Sequence, residues 1–104
     1  MSRSQTADAG ATTLVLPAEI TFGKAAACRD MLVQGLDASA GRRSGPVVAD
    51  ASALAVFDSS ALAVLLDCRR EALVRGRAFA VRSLHDGLAG LAKLYGVDTL
   101  LPAG

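Results

Sequence analysis

The chain has 104 residues, of which 52% are hydrophobic and only 4% aromatic, and its formal net charge is +1. This length predicts one domain that can bury a core without a metal or a disulfide. The balanced charge argues against nucleic acid as the main partner. No apolar run approaches the roughly 20 residues that span a bilayer, so direct membrane insertion is not expected.

Two features bear on the compartment in which the protein works. The segment Met1–Ala11 is rich in Ser, Thr, Ala and Gly and lacks the apolar stretch of a signal peptide. We interpret it as a disordered lead, residues 12–104 as the folded domain, and the cytoplasm as the location. Cys28 and Cys68 each lie on the predicted apolar side of a helix, which indicates buried hydrophobic residues rather than a disulfide.

Strands and helices alternate along the chain. The predicted elements are strands at Thr12–Leu16 and Ala18–Thr21, a helix at about Phe22–Ala38, a strand at Val47–Asp50, a helix at Ser60–Arg75, a strand at Ala78–Arg82 and a helix between Ser83 and Gly96. This order predicts an α/β fold with a small, mostly parallel sheet covered by about three helices. The apolar tail Val97–Pro102 is expected to pack back on the sheet.

Helix ends and apolar stripes follow from residue type and spacing. Thr21 and Ser83 are predicted to cap the first and third helices, and Gly76 is predicted to end the second. The first helix is expected to bury Ala25, Cys28, Leu32 and Leu36, and the third Leu84, Leu88, Leu91, Ala92 and Tyr95.

The turn Val56–Ala61 is the most informative feature of the sequence. Asp58 and Ser59 stand where the second helix begins, and side chains of these types accept hydrogen bonds from the unpaired N–H groups of a first helical turn. A phosphate on Ser59 would also meet the positive end of the helix dipole. The turn therefore has both a structural and a regulatory interpretation.

The second helix divides into two sides on a helical wheel. Its predicted core side carries Ala61, Leu62, Leu65, Leu66, Cys68, Ala72 and Leu73, with Arg69 in the middle. The other side mixes polar residues with small aliphatic ones, which fits either a solvated face or a docking surface. We define the candidate docking face as Asp58, Ser59, Ser60, Ala63, Val64 and Asp67.

The sequence offers little for catalysis. Asp50 and Asp58 follow the same predicted strand, and Ser59, His85 and Asp50 could form a triad on paper. No nucleophile-elbow motif surrounds Ser59, and no glycine-rich phosphate loop is present, so neither catalysis nor a cofactor or metal is expected. The arginines near the end of the second helix are interpreted as a solvated helix end: Arg69, Arg70, Arg75 and Arg77.

Two stretches resemble the STAS family. The strand Val47–Asp50 followed by Asp58–Leu66 is similar to its Asp-Ser-Ser-Gly-Leu-Gly-Val signature, with Ala61 at the first glycine. The stretch Leu91–Val97 with Leu101 and Pro102 resembles the C-terminal helix and tail of MlaB-type STAS subunits. The resemblance covers about Thr12 to Pro102.

The resemblance implies a non-catalytic domain whose sensitive position is Ser59. In MlaB-type members this region binds the ATPase, MlaF, of an ABC complex that transports phospholipids. The chain is therefore expected to bind and regulate an MlaF-like ATPase within a complex that includes a permease. The alternative is an anti-sigma-factor antagonist that a partner kinase switches by phosphorylating Ser59.

Overall fold

The computed structural model describes residues 10–39 and 45–104. Its strands are β1 (Thr12–Val15), β2 (Glu19–Ile20), β3 (Val47–Asp50), β4 (Val56–Phe57) and β5 (Phe79–Arg82). Its helices are α1 (Ala25–Ser39), α2 (Ser60–Val74) and α3 (Asp86–Leu94), with 3-10 turns at Phe22–Lys24 and Asp98–Leu100. The disordered lead stays a prediction, because residues 1–9 lie outside the described residues.

All strand pairs within the described residues are parallel. β3 lies between β1 and β5 in a three-stranded sheet, and β2 pairs with β4 in a two-stranded sheet. The tail returns to the edge of the larger sheet, where Ala103 forms a parallel bridge with Val81 and Leu101 is buried. The predicted α/β fold and the packing of the tail are confirmed. The strand β4 and its pairing with β2 were not predicted from the sequence.

Aliphatic side chains build the core between the sheets and the helices. Leu36 of α1, Leu65 of α2 and Leu88 of α3 are fully buried together with Ile20. Burying such a side chain stabilises the fold by about 1.5–3 kcal/mol relative to exposure. The predicted stripe of α1 is confirmed, with Cys28, Leu32 and Leu36 buried and Ala25 packed against them.

Two helices begin differently from their prediction. Thr21 does not cap the first helix, because its hydroxyl donates instead to Glu19 Oε2 at 3.1 Å. Ser83 has a left-handed φ of 61°, so the helix cannot start there. α3 begins at Asp86, and His85 caps it by accepting a hydrogen bond from the Gly87 N–H at Nδ1, at 2.9 Å. The chain turns between β5 and α3 before helical geometry begins.

The second helix ends as predicted, at a glycine. Gly76 has a φ of 72°, which favours glycine, and its N–H donates to the Leu73 carbonyl. The following N–H, of Arg77, donates to the Ala72 carbonyl, which completes a Schellman motif. The helical wheels were wrong at Leu73 and Tyr95, whose side chains are 47% and 57% exposed.

Arg77 is a structural residue, not part of a solvated helix end. It is only 2% exposed. Its guanidinium donates to the carbonyls of Gly45 at 2.7 Å and Gly10 at 3.0 Å, and to the Thr12 hydroxyl at 2.6 Å. Arg77 therefore joins the end of α2 to the start of β1 and to the approach to β3. A sequence pattern could not separate it from the neighbouring arginines.

Both cysteines should resist thiol reagents in the folded protein. They are free and buried, as predicted. Burial raises the pKa of the Cys28 thiol and raises that of Cys68 to about 12. Since the thiolate is the reactive form, we expect dithionitrobenzoate to label neither residue in mildly alkaline native buffer and both in concentrated guanidinium chloride. Rapid labelling of the folded protein would contradict this burial.

Candidate functional site

Asp58 joins the starts of two helical segments. Its Oδ1 accepts a hydrogen bond from the Ser60 N–H at 2.9 Å and another from the Ser60 hydroxyl. Its Oδ2 accepts from the Phe22 N–H at 3.0 Å, at the 3-10 turn that leads into α1. Because β2 and β4 are paired in parallel, both segments leave the same edge of the small sheet. The expected capping role of Asp58 is confirmed, and it extends to a second helix.

These contacts favour the ionised carboxylate. Hydrogen bonds from the Ser60 hydroxyl, the Ser60 N–H and the Phe22 N–H, in decreasing order of effect, hold the pKa of Asp58 below its usual range. The stabilisation is therefore complete above the unfolded-state pKa of an aspartate, about 3.9, and is lost as the pH falls through the lower folded-state pKa.

Acid should weaken the fold partly through Asp58. We expect the free energy of unfolding to fall as the pH drops below about 4, and Asp58→Asn to show a smaller fall than the wild type. Urea unfolding across this range measures the difference. The control is Asp98→Asn, which removes an exposed carboxylate from another turn. An unchanged acid dependence in Asp58→Asn would refute the assignment.

Ser59 is exposed and does not cap the helix. It occupies the N-cap position of α2 with a φ of −63° and a ψ of −18°, and its side chain makes no capping hydrogen bond to the described residues. The expectation that its hydroxyl caps the helix is therefore wrong, because Asp58 performs that task. The Ser59 hydroxyl is left on the surface at the positive end of the helix dipole.

Val64 lies in the core, so its place on the candidate docking face was wrong. It is 2% exposed, whereas the neighbouring Ala63 is exposed. The reason is that α1 packs along this side of α2. One turn further along α2, an ion pair joins the two helices: Arg29 Nε of α1 lies 3.9 Å from Asp67 Oδ2. A helical wheel represents α2 alone, so it could not show that a neighbouring helix covers the side on which Val64 lies.

Asp67 links the two helices at the edge of the face. Its carboxylate pairs with Arg29 of α1 and with Arg70 of α2, and its side chain is 29% exposed. The exposed part of the candidate docking face is therefore Ser59 and Ala63, with Asp58, Ser60 and Asp67 half-buried beside them. Whether a partner contacts these residues stays a prediction.

Phe22 is a further residue near Asp58 that the sequence did not suggest as part of the site. Its side chain is 85% exposed, although its backbone N–H is bound to Asp58. The contact fixes the Phe22 backbone next to Asp58 and leaves its ring in solvent, and aromatic residues are enriched in protein interfaces. The only signal in the sequence was an aromatic residue before Gly23, ahead of the apolar stripe of the helix.

Asp50 and His85, two residues of the hypothetical triad, have separate partners. Asp50 accepts from the Ser52 N–H at 3.0 Å and from Arg82 at 3.2 Å, and these contacts lower its pKa. His85 caps α3 and makes an edge contact with Phe57, at 5.1 Å between ring centres. Asp50 and Asp58 share no hydrogen-bond partner among the described residues.

Comparison with known families decides the classification. The family model described as MlaB, STAS domain, matches residues 4–102. The chain belongs to this STAS family. The buried Ala61, which stands where the family signature has glycine, directs its methyl group into the core of the STAS domain. That substitution therefore adds no bulk to the surface around Ser59. No curated protein sequence matches the chain significantly.

Solved structures show the same fold. A protein from Thermotoga maritima that is described as an anti-sigma factor antagonist superimposes on this chain with a TM-score of 0.69. The two are 15% identical, and the match covers 88% of this chain and 77% of that one. A sulfate transporter family protein from Wolinella succinogenes gives a TM-score of 0.66 at 18% identity, over 88% and 71%. At such identities the likeness concerns the fold of the STAS domain alone.

The described part of the STAS domain offers neither a membrane-spanning helix nor a cluster of metal ligands. None of its helices has the length and apolarity to cross a membrane. Residues 10–39 and 45–104 contain no cluster of three or more His, Cys, Asp or Glu side chains that could hold a metal ion.

Proposed function

We propose that this STAS domain is a non-catalytic subunit that binds the ATPase of an Mla-type ABC transporter for phospholipids. It stabilises the ATPase and regulates its activity, within a complex that also contains the permease. It works in the cytoplasm, at the inner membrane through this complex, and serves the lipid asymmetry of the outer membrane. The match of residues 4–102 to the MlaB STAS model supports this choice of partner.

One observation carries the proposal: Ser59 is exposed on a turn that Asp58 holds in place. Asp58 binds the amides of Phe22 and Ser60, so the backbone around Ser59 is fixed from two sides. A surface fixed before binding loses little conformational entropy when a partner docks. Ala63, one turn further along α2, and Phe22, whose backbone is bound to Asp58, are both exposed and offer apolar contact area.

Co-purification tests the proposed partner. The full chain is expressed with an Mla-type ATPase and permease from the same organism, and the complex is isolated through a tag on the ATPase. We expect the STAS domain to remain bound and the ATPase to lose solubility or activity when it is omitted. Recovery of a complete, active transporter without this chain would contradict the proposal.

Ser59→Glu should weaken ATPase binding at least about tenfold, because it places a charge in a partly apolar contact. Titration calorimetry with the ATPase measures the affinity. Gln34→Glu is the matched control, since it adds the same charge to an exposed position of α1. Equal affinities of the two variants would remove Ser59 from the interface, provided that thermal unfolding shows both to be folded.

The second candidate is an anti-sigma-factor antagonist switched by phosphorylation of Ser59. It is favoured by the exposed hydroxyl at the start of α2, where the helix dipole stabilises a phosphate. Mass spectrometry of the chain from its own cells decides between the two. Stoichiometric phosphate on Ser59 together with a bound kinase supports the antagonist, and unmodified Ser59 in a complex with the ATPase supports the transporter subunit.

A further inference from the structure

An open groove of about 490 Å³ runs along the second half of α2. It is lined by Leu66, Arg69, Arg70, Leu73, Val74 and, from the 3-10 turn near the C-terminus, Leu100. The groove begins seven residues after Ser59, which is about 10 Å along a helix that rises 1.5 Å per residue. The groove therefore lies apart from Ser59 and adjoins the candidate docking face at Asp67, which pairs with Arg70.

The groove presents aliphatic side chains to solvent. Val74 is 75% exposed and Leu73 is 47% exposed, on a helix whose opposite side supplies the core. Leu66 and Leu100 are half-buried and form the floor. Exposed apolar residues that adjoin one another in a groove are typical of a surface that a partner covers.

The charges in the groove indicate the chemistry of that partner. Arg69 is half-buried and makes no hydrogen bond or ion pair with the described residues. Arg70 pairs with Asp67, and Arg75, further along the helix, pairs with both Asp37 and Glu71. Arg69 is therefore a cation beside apolar surface that lacks the anion its neighbours have. A carboxylate next to apolar side chains would complement it.

We propose that this groove binds an acidic amphipathic helix of a partner protein. The lining residues of α2 extend from Leu66 to Val74, about 12 Å, which matches roughly two turns of a bound helix. Apolar side chains of that helix pack on Leu73 and Val74, and a carboxylate of that helix pairs with Arg69. A second copy of this chain is disfavoured, because two α2 helices packed together would bring the arginines of one towards those of the other. The proposal does not depend on what binds at Ser59.

Two synthetic peptides and the full isotope-labelled chain test the groove by NMR. Both peptides are short helices with leucines on one face; one carries flanking glutamates and the other carries lysines at the same positions. We expect the glutamate peptide to shift the amide signals of the groove residues and to bind at least about tenfold more tightly than the lysine peptide. Added salt should weaken this preference.

Charge reversal separates the groove from general electrostatics. Arg69→Glu should reduce the affinity for the glutamate peptide at least about tenfold, whereas Lys93→Glu, an equal charge change on exposed α3, should not. Three outcomes overturn the proposal. These are no preference for glutamate over lysine, groove shifts that depend only on the concentration of the chain itself, and a response to phosphatidylglycerol vesicles without one to the peptide. The second would indicate self-association and the third a lipid surface.

Discussion

Replacing Arg77 with methionine is expected to destabilise the domain by about 3 kcal/mol and to lower Tm by roughly 15 °C. Methionine fills a similar volume but donates no hydrogen bond. The substitution removes the Arg77 hydrogen bonds to the carbonyls of Gly10 and Gly45 and to the Thr12 hydroxyl, although the Gly10 carbonyl keeps its bond from the Gly45 N–H. Losing several hydrogen bonds to a charged, buried group is among the most costly changes that a small domain can undergo.

Urea unfolding of Arg77→Met, with two further variants, measures this effect. Arg70→Met is the control, because Arg70 is exposed and its surface ion pair with Asp67 contributes less than about 1 kcal/mol. Arg77→Lys covers the case in which the methionine variant does not fold, since lysine keeps the charge but cannot match the planar fork of donors. Stabilities of the Arg77 variants within about 0.5 kcal/mol of the wild type would refute the structural role.

The same substitution, to aspartate, should affect stability at Val64 and binding at the adjacent Ala63 of α2. Val64→Asp places a charge in the core and is expected to cost about 4 kcal/mol or to prevent folding. Ala63→Asp changes an exposed position and should alter stability by only about 0.5 kcal/mol. It should nevertheless reduce binding to the ATPase at least about tenfold, because its charge falls within the proposed contact.

Thermal unfolding and titration calorimetry separate the two effects. Val64→Ala serves if the aspartate variant is insoluble, and it should cost about 2 kcal/mol without a large change in affinity. A folded Ala63→Asp variant that binds the ATPase as tightly as the wild type would exclude Ala63 from the interface. A stable Val64→Asp variant would contradict its placement in the core.

Local patterns predicted the fold well, because each depends on a few neighbouring residues. The alternation of strands and helices, the stripe through Cys28, Leu32 and Leu36, and the glycine that ends α2 all follow from spacing and residue type. The predictions failed where the local structure depends on contacts with a segment that is distant in the sequence. Asp58 reaches the Phe22 amide 36 residues away, and so caps a helical turn that Thr21 had been expected to cap.

The candidate site was predicted in part for the same reason. The Asp58–Ser59 turn stands out in the sequence, and its role at the start of α2 follows from ordinary capping chemistry. The burial of Val64 does not, because it depends on where α1 packs. The exposure of Phe22 was equally hidden, since a hydrophobic side chain at a helix start is usually assigned to the core.

Site-specific cross-linking tests the central claim, that the surface around Ser59 contacts the ATPase. A photoreactive amino acid is placed at position 59 or, as the control, at the exposed position 34 of α1, and each chain is expressed with an Mla-type ATPase and permease from the same organism. The account predicts a covalent adduct with the ATPase from position 59 and none from position 34. An adduct from position 34 alone, or none from position 59 although the two proteins purify together, would contradict it.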